Sequence, residues 1–194
     1  AGGEIGILAN HAPLLAALSV VREKETGSIY NIYASTIRRA EFILGKLLPN
    51  VLISFINAVV LWLMALWYFG APFKGNIPFF LLATLLYVIC TSSLGLLISM
   101  LVRTQQAALM IAVILSVIIA LQFSGMLTPV SLLTGPNWLR AHLLPAMYYQ
   151  NVVLGAFLKG SGWAVLWPEA LVLAVYSVAV LGVVVLLFRK RTRT

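Results

Sequence analysis

Charged residues are scarce in this chain: they make up 9% of its 194 residues, against about 25% in ordinary soluble domains. Hydrophobic residues make up 62%, and the mean hydropathy is +1.03. A soluble core could not bury that much apolar surface. The scarcity of charge therefore excludes a soluble globular domain and indicates an integral membrane protein.

Metal ligands and reactive side chains are also few. Cys90 is the single cysteine and lies inside a long apolar run, which excludes an intrachain disulfide and a cysteine-rich metal framework. His11 and His142 are isolated in the sequence, with no carboxylate or cysteine at ligand spacing. We therefore expect no catalytic residue, no metal site and no enzymatic activity in this chain.

A phosphate-binding loop is missing as well. Gly45 and Lys46 are the one Gly-Lys pair that could end such a loop, but Leu47 stands where Ser or Thr is required and Ala40 where the first Gly is required. We expect no cofactor on this chain. Any ATP would be bound by a partner nucleotide-binding domain.

Long apolar runs, by contrast, are abundant. A membrane-spanning helix needs about 20 mostly apolar residues, because its backbone polar groups must bond internally. Four uncharged runs meet that requirement, and we predict full spans at 47–69, 79–102, 107–125 and 170–188. The short joints at 70–75 and 103–106 predict hairpin connections. The predicted fold class is all-α, a polytopic helical membrane protein.

The few charges are distributed unevenly. With strict alternation of the four spans, ten Lys and Arg residues fall on one side and three on the other, namely Lys74, Arg140 and Lys159. Basic residues resist translocation, so we predict that the ten-residue side and the C-terminus are cytoplasmic. The basic tail 189–194 then acts as a stop-transfer anchor. Specific lipid binding or nucleic-acid binding is the alternative, and we expect no nucleic-acid partner.

Two regions do not read as simple spans. Segment 1–21 is interrupted by polar residues and has one apolar run, 14–21, which is too short to span; it is interpreted as an atypical segment or the remnant of a membrane helix. Region 126–168 is rich in Pro and Gly but also in Leu, Trp and Tyr, which predicts an outer re-entrant region of broken helices.

Segment 22–46 is charged and partly amphipathic, with Ile29, Tyr33 and Ile37 on one predicted helical face. Such a helix either lies at the membrane interface or forms a docking surface for a cytoplasmic partner. The residue pattern alone leaves both interpretations open.

Three sequence elements together carry a family resemblance. They are Arg-Glu-Lys-Glu-x-Gly-Ser at 22–28, Leu-Gly-Lys-Leu-Leu-Pro at 44–49, and Ser-Gly-x-x-x-Pro at 124–129 after the third span. In this order with four spans, they resemble the ABC-2 exporter permeases, whose fold is type V exporter-like. The likeness covers roughly 18–193. Residues 3–15 separately resemble a segment of the epsilon subunit of rotary ATP synthases.

The resemblance to ABC-2 permeases implies a function. It implies an ATP-driven exporter whose permease pairs with a second half-unit, contacts an ABC ATPase subunit or fused nucleotide-binding domain, and lies in membrane lipid, here a bacterial inner membrane. It also implies that this chain is partial, lacking the first helix and most of the second. The coupling segment that touches the ATPase would include Arg22, Glu23, Lys24, Glu25 and Gly27.

The candidate residues of a translocation path or gate are polar or helix-breaking positions in or after the spans: Asn57, Gln122, Ser124, Gly125 and Pro129. Polar residues within a membrane are expensive, but uncharged amides often serve only to bond neighbouring helices. Two other functions are considered. A membrane anchor for a soluble ATPase would need no path. An ion channel is disfavoured, because charged rings and filter-like loops are missing.

Overall fold

The computed structural model describes residues 12–28, 38–115, 135, 139 and 142–188. Its longer elements are six helices: α1 Ala12–Glu25, α2 Arg39–Trp67, α3 Ile77–Leu101, α4 Gln105–Val113, α5 Pro145–Leu154 and α6 Trp163–Leu187. A π-helical turn, Gly155–Lys159, continues α5. No strand occurs in these residues, and the predicted all-α class is confirmed.

Three helices are long and apolar enough to cross a membrane. They are Ala40–Trp67, Ile77–Leu101 and Trp163–Leu187, with mean hydropathies of 2.0, 2.2 and 2.8 in their most apolar windows. They overlap the predicted spans 47–69, 79–102 and 170–188. The remaining predicted span, 107–125, starts within α4 and is described only as far as residue 115. The described helices thus fit an integral membrane protein.

The helices extend beyond the apolar runs that predicted them. α2 begins at Arg39, eight residues before the predicted span, and continues through Pro49; α6 begins at Trp163 and contains Pro168. Hydropathy marks the part of a helix that suits hydrocarbon, whereas the helix itself can continue into polar surroundings. Glu41 supports the early start of α2, because its side chain accepts a hydrogen bond from the backbone N–H of Arg38 at 3.0 Å.

The centre of the bundle is α3. In its most apolar window 61% of the residues are buried, against 22% in α2 and in α6. One face of this helix carries the small and polar residues Thr84, Thr91, Gly95 and Ser99, and it is buried. Both threonine hydroxyls donate to carbonyl oxygens one turn earlier, at 2.8 and 2.9 Å. Their polar groups are therefore satisfied within the helix, and the face can pack closely.

Helix α1 packs against α3 with four small side chains that are at most 1% exposed: Ala16, Ala17, Val20 and Val21. Four residues of the apolar run that was too short to span are thus buried in the bundle. α1 continues through the first residues of the predicted coupling segment and ends at Glu25. Residues 29–37, which contain most of the predicted amphipathic helix, lie outside the described part.

At the other end of α3, an aromatic cluster joins the helices. Phe73 contacts Trp62, Phe80 and Phe157 with ring centroids 5.2–5.5 Å apart. We call this the Gly75 end, after the neighbouring glycine. Deeper in the bundle, α5 is held against α3 by the stacked rings of Tyr87 and Tyr149, whose centroids are 4.2 Å apart. These contacts fix the described portion of the 126–168 region, whose re-entrant position stays a prediction.

Candidate coupling site

Five helix termini meet at one end of the bundle, which we call the charged end. α1, α3 and α6 finish here, and α2 and α4 begin here. Basic residues lie at or beside these termini, among them Arg22, Lys24, Arg38, Lys46 and Arg103. The loop and the π-helical turn at the Gly75 end carry Lys74 and Lys159. The predicted separation of basic residues is therefore present between the two ends, while their sidedness stays a prediction.

Lys24 binds the C-terminal end of α3. Its Nζ donates hydrogen bonds to the carbonyl oxygens of Ser99, Met100 and Val102, at 2.8, 2.8 and 3.2 Å. The last carbonyls of a helix lack intrahelical donors and carry partial negative charge, so an ammonium group suits them in both respects. One side chain thus uses all three of its hydrogens to hold α1 to α3.

Glu25, the next residue, binds the N-terminal end of α4. Its carboxylate accepts hydrogen bonds from the backbone N–H of Gln105, at 2.7 Å, and from the Gln105 side-chain amide. The N-terminus of a helix carries partial positive charge, so a carboxylate is favoured there. The adjacent, oppositely charged residues Lys24 and Glu25 therefore bind the two sides of the turn between α3 and α4.

Glu23 extends the same set of contacts to α2. One of its carboxylate oxygens forms a salt bridge with the Lys46 ammonium. The other oxygen is buried and has no partner in the described part of the chain. We call Glu23, Lys24 and Glu25, with their partners on α2, α3 and α4, the clamp. Three consecutive residues tie the end of α1 to three other helices.

The chain turns sharply after the clamp. Gly27 has a φ of +75°, a left-handed conformation that glycine adopts at little cost, and its N–H donates to the Lys24 carbonyl at 3.3 Å. Thr26 and Ser28 also use their hydroxyls to bond carbonyls at the end of α1. Arg22 is exposed and takes no part in the clamp. The five predicted coupling residues therefore divide into three clamp residues, one turn residue and one exposed residue.

The contacts shift the titration of two clamp residues. Burial lowers the pKa of the Lys24 ammonium, and the positive charge of Arg103 lowers it further. Hydrogen bonds from the side chain and then the backbone of Gln105 lower the pKa of Glu25. Near neutral pH the Glu25 carboxylate is therefore held in the charged form that the N-terminus of α4 favours.

The sequence analysis found the charged run but not its partners. Lys46 was considered as a basic residue, as the end of a possible phosphate-binding loop and as part of the element at 44–49, and Gln105 only as part of the joint at 103–106. The alternation of Glu23, Lys24 and Glu25 was an available signal, because opposite charges suit opposite helix ends. Nothing local in the sequence indicates which partners they meet, since the contact of Glu23 joins residues 23 positions apart and those of Lys24 and Glu25 join residues 75 to 80 positions apart.

The contacts of the clamp are links between helices. Among the described residues, no group of three or more His, Cys, Asp or Glu is placed to hold a metal ion. The clamp instead joins one exposed turn to several helices that run through the bundle. A displacement of that turn would be passed directly to α2, α3 and α4.

Comparison with known proteins identifies the family. The sequence profile described as "ABC-2 type transporter" matches residues 5–158, most of the chain. The chain belongs to the ABC-2 type transporter family. The match begins at residue 5 and so includes most of the segment 1–21 that was set apart on composition.

Individual members of this family are similar over most of the chain. "Probable multidrug ABC transporter permease YbhR" of Escherichia coli is 28% identical over 83% of the chain and 45% of its own length. "Inner membrane transport permease YhhJ" of the same organism is 26% identical over the whole chain and 52% of its length. "ABC transporter G family member 20" of Dictyostelium discoideum is 29% identical over 94% of the chain and 25% of its length. The chain therefore spans about half or less of these relatives.

Of the candidate path residues, only Asn57 belongs to the described part of this ABC-2 family chain. It is exposed on α2, and the nearby side chains of Ile53, Ile56 and Val60 are 56%, 60% and 47% exposed. No described helix covers this face. Gln122, Ser124, Gly125 and Pro129 lie outside the described residues, so a path or gate role for all five stays a prediction.

Proposed function

We propose that this chain is the transmembrane permease component of an ATP-driven ABC-2 exporter, in which the run Arg22–Ser28 receives motion from an ATPase. The observation that carries the proposal is the clamp. An exposed turn bonded to three helices is suited to transmit a displacement, whereas a turn that only tethered a partner would need no such connections. Family membership and the names of the relatives support the same function.

The partners follow from this function. ATP would bind to an ABC ATPase subunit or to a fused nucleotide-binding domain that meets the charged end, and a second permease half-unit would complete the path. The bias of basic residues supports a cytoplasmic charged end and C-terminus, in a bacterial inner membrane. The clamp residues already have intrachain partners, so Arg22 is the residue of the run that is available to meet the ATPase.

The experiment tests whether ATP binding by the ATPase at the charged end changes the environment of a label at position 159, at the Gly75 end. Lys159→Cys, in a Cys90→Ser background, is labelled with an environment-sensitive maleimide in the complete transporter with its ATPase, reconstituted in liposomes. We expect Mg-ATP to change the fluorescence of the label. We expect an ATPase variant that binds but does not hydrolyse ATP to stop the transport cycle. The same preparation should accumulate ethidium, a probe chosen because relatives are named as multidrug permeases.

The alternative is a membrane anchor for a soluble ATPase. An anchor would hydrolyse ATP normally but would give no fluorescence change at position 159 and no ethidium accumulation. That combination would overturn the proposal. A variant with Lys24→Met serves as an internal check, because a weakened clamp should reduce the response at position 159 while leaving insertion into the membrane intact.

A further inference from the structure

Two connecting segments meet at the Gly75 end. The first is the loop 68–76 between α2 and α3, and the second is the π-helical turn Gly155–Lys159 with the residues that lead into α6. They are about 80 residues apart in the sequence, yet their backbones are in direct contact. π-helical turns are rare and occur often at functional sites.

A single backbone hydrogen bond joins the two segments. The N–H of Lys74 donates to the carbonyl oxygen of Ala156 at 3.1 Å. In an α-helix this carbonyl would instead accept from Gly160, four residues later. Here the Gly160 N–H donates to Gly155, five residues earlier. The π-type bond thus leaves the Ala156 carbonyl available to the loop.

Glycine is required on both sides of the contact. A Cβ added to Gly75 would lie 2.8 Å from Cα of Ala156, closer than real Cβ contacts allow. Gly160 has a φ of +65°, and a Cβ there would lie 3.2 Å from Cβ of Lys74. Gly75 is needed for space and Gly160 for its conformation. The two backbones can approach this closely only because neither position carries a side chain.

The aromatic cluster lies beneath the contact. Phe73 comes from the loop and Phe157 from the π-helical turn, and their ring centroids are 5.2 Å apart. Trp62 packs against Phe73, and its buried Nε1 has no hydrogen-bond partner in the described part of the chain. A buried donor without an acceptor is unfavourable, and separating the two segments would give it access to water. The closed arrangement therefore contains a group that favours opening.

We propose that this contact is a latch at the Gly75 end that alternates between two backbone registers. In the closed register, Ala156 accepts from Lys74 and Gly160 donates to Gly155. In the open register, Gly160 donates to Ala156 as in an α-helix, and the loop separates. The Ala156 carbonyl keeps a partner in both registers, so opening leaves no unpaired carbonyl at this position. The latch rests on the proposed function, because ATP-driven motion from the charged end would bias it.

Disulfide trapping tests the latch in the complete transporter. Lys74→Cys and Gly160→Cys are combined in the Cys90→Ser background, because their Cβ atoms lie close to disulfide distance. Copper phenanthroline oxidation is timed without nucleotide and after trapping with ATP and vanadate. The latch predicts a rate at least about fivefold lower in the trapped state, the effect of shifting one hydrogen bond. A rate that stays equal or rises overturns it.

A second measurement avoids the strained cysteine at position 160. Gly75→Ala should prevent closure and raise hydrogen exchange at the Lys74 amide at least about fivefold. Gly162→Ala is the matched control, because a Cβ there meets Asn76 only at an ordinary 3.7 Å. Unchanged exchange in Gly75→Ala would also overturn the latch. The parent transporter's response at position 159 separates the outcomes: if it persists while both latch tests fail, the proposed function stands without the latch.

Discussion

Lys24→Met tests the clamp directly, because Met keeps the unbranched chain but removes all three donors. Hydrogen bonds to charged groups contribute about 1.5–3 kcal/mol each, and a cation at a helix C-terminus about 0.3–1 kcal/mol. The Lys24 side chain is partly exposed, so water replaces much of this in the variant. We therefore expect a total loss of about 1–2 kcal/mol, or a shift of about 5–30-fold toward a detached turn.

Hydrogen exchange measures this shift at the turn that Lys24 holds. The Gln105 amide, at the N-terminus of α4, is protected by its bond to Glu25 on α1, whereas the Ala107 amide bonds locally to Thr104. In Lys24→Met the exchange of the Gln105 amide should rise by about the same 5–30-fold. Arg22→Gln is the control, since Arg22 lies in the same run but outside the clamp. Unchanged exchange in Lys24→Met, or an equal rise in the control, would refute the assigned role of Lys24.

Three further predictions concern charge. The pKa of Glu25 is lowered by folding, so its contribution is complete above the ordinary value of 4.5 and is lost as the pH falls below it. Exchange of the Gln105 amide, corrected for its intrinsic pH dependence, should therefore rise in acid, and Glu25→Gln should abolish that response. A double-mutant cycle on Glu23 and Lys46, measured by thermal unfolding in detergent, should give a coupling free energy of about 0.2–1 kcal/mol, because both side chains are partly exposed. A coupling free energy of zero would remove this contact from the clamp. In the cysteine-free background, Lys159→Cys should react with an impermeant maleimide in intact cells, and labelling only after the membrane is opened would reverse the predicted orientation.

The long apolar helices were largely predictable, because burial in hydrocarbon imposes length and composition together. Three of the four predicted spans overlap long apolar helices of the structure. The ends of the helices were less predictable. α2 starts at Arg39, eight residues before the predicted span 47–69, because charge ends only the part of a helix that suits hydrocarbon. The third predicted span lies mostly outside the described residues and stays a prediction.

The charged run between apolar segments is visible in the sequence, but its assignment as a coupling segment came from the family resemblance, and its geometry was not predictable. The partners of Lys24 are backbone carbonyls of α3, and backbone atoms leave no mark in a sequence. The role of Gly75, at the opposite end of the bundle, could not be predicted from the sequence either. A glycine in a turn indicates conformational freedom, whereas here the glycine provides space for the Ala156 backbone.

The clamp also changes the expected reason why replacing Glu23 and Glu25 would reduce coupled ATP hydrolysis. The sequence analysis interpreted Glu23 and Glu25 as contacts to the ATPase, so replacing them should reduce coupled ATP hydrolysis. In the structure both carboxylates bind within the chain, and their loss would uncouple the ATPase by detaching α2 and α4 instead. The two explanations differ in the free permease. Detachment would loosen the turn without any ATPase present, whereas a lost intermolecular contact would leave the free permease unchanged and weaken only the complex.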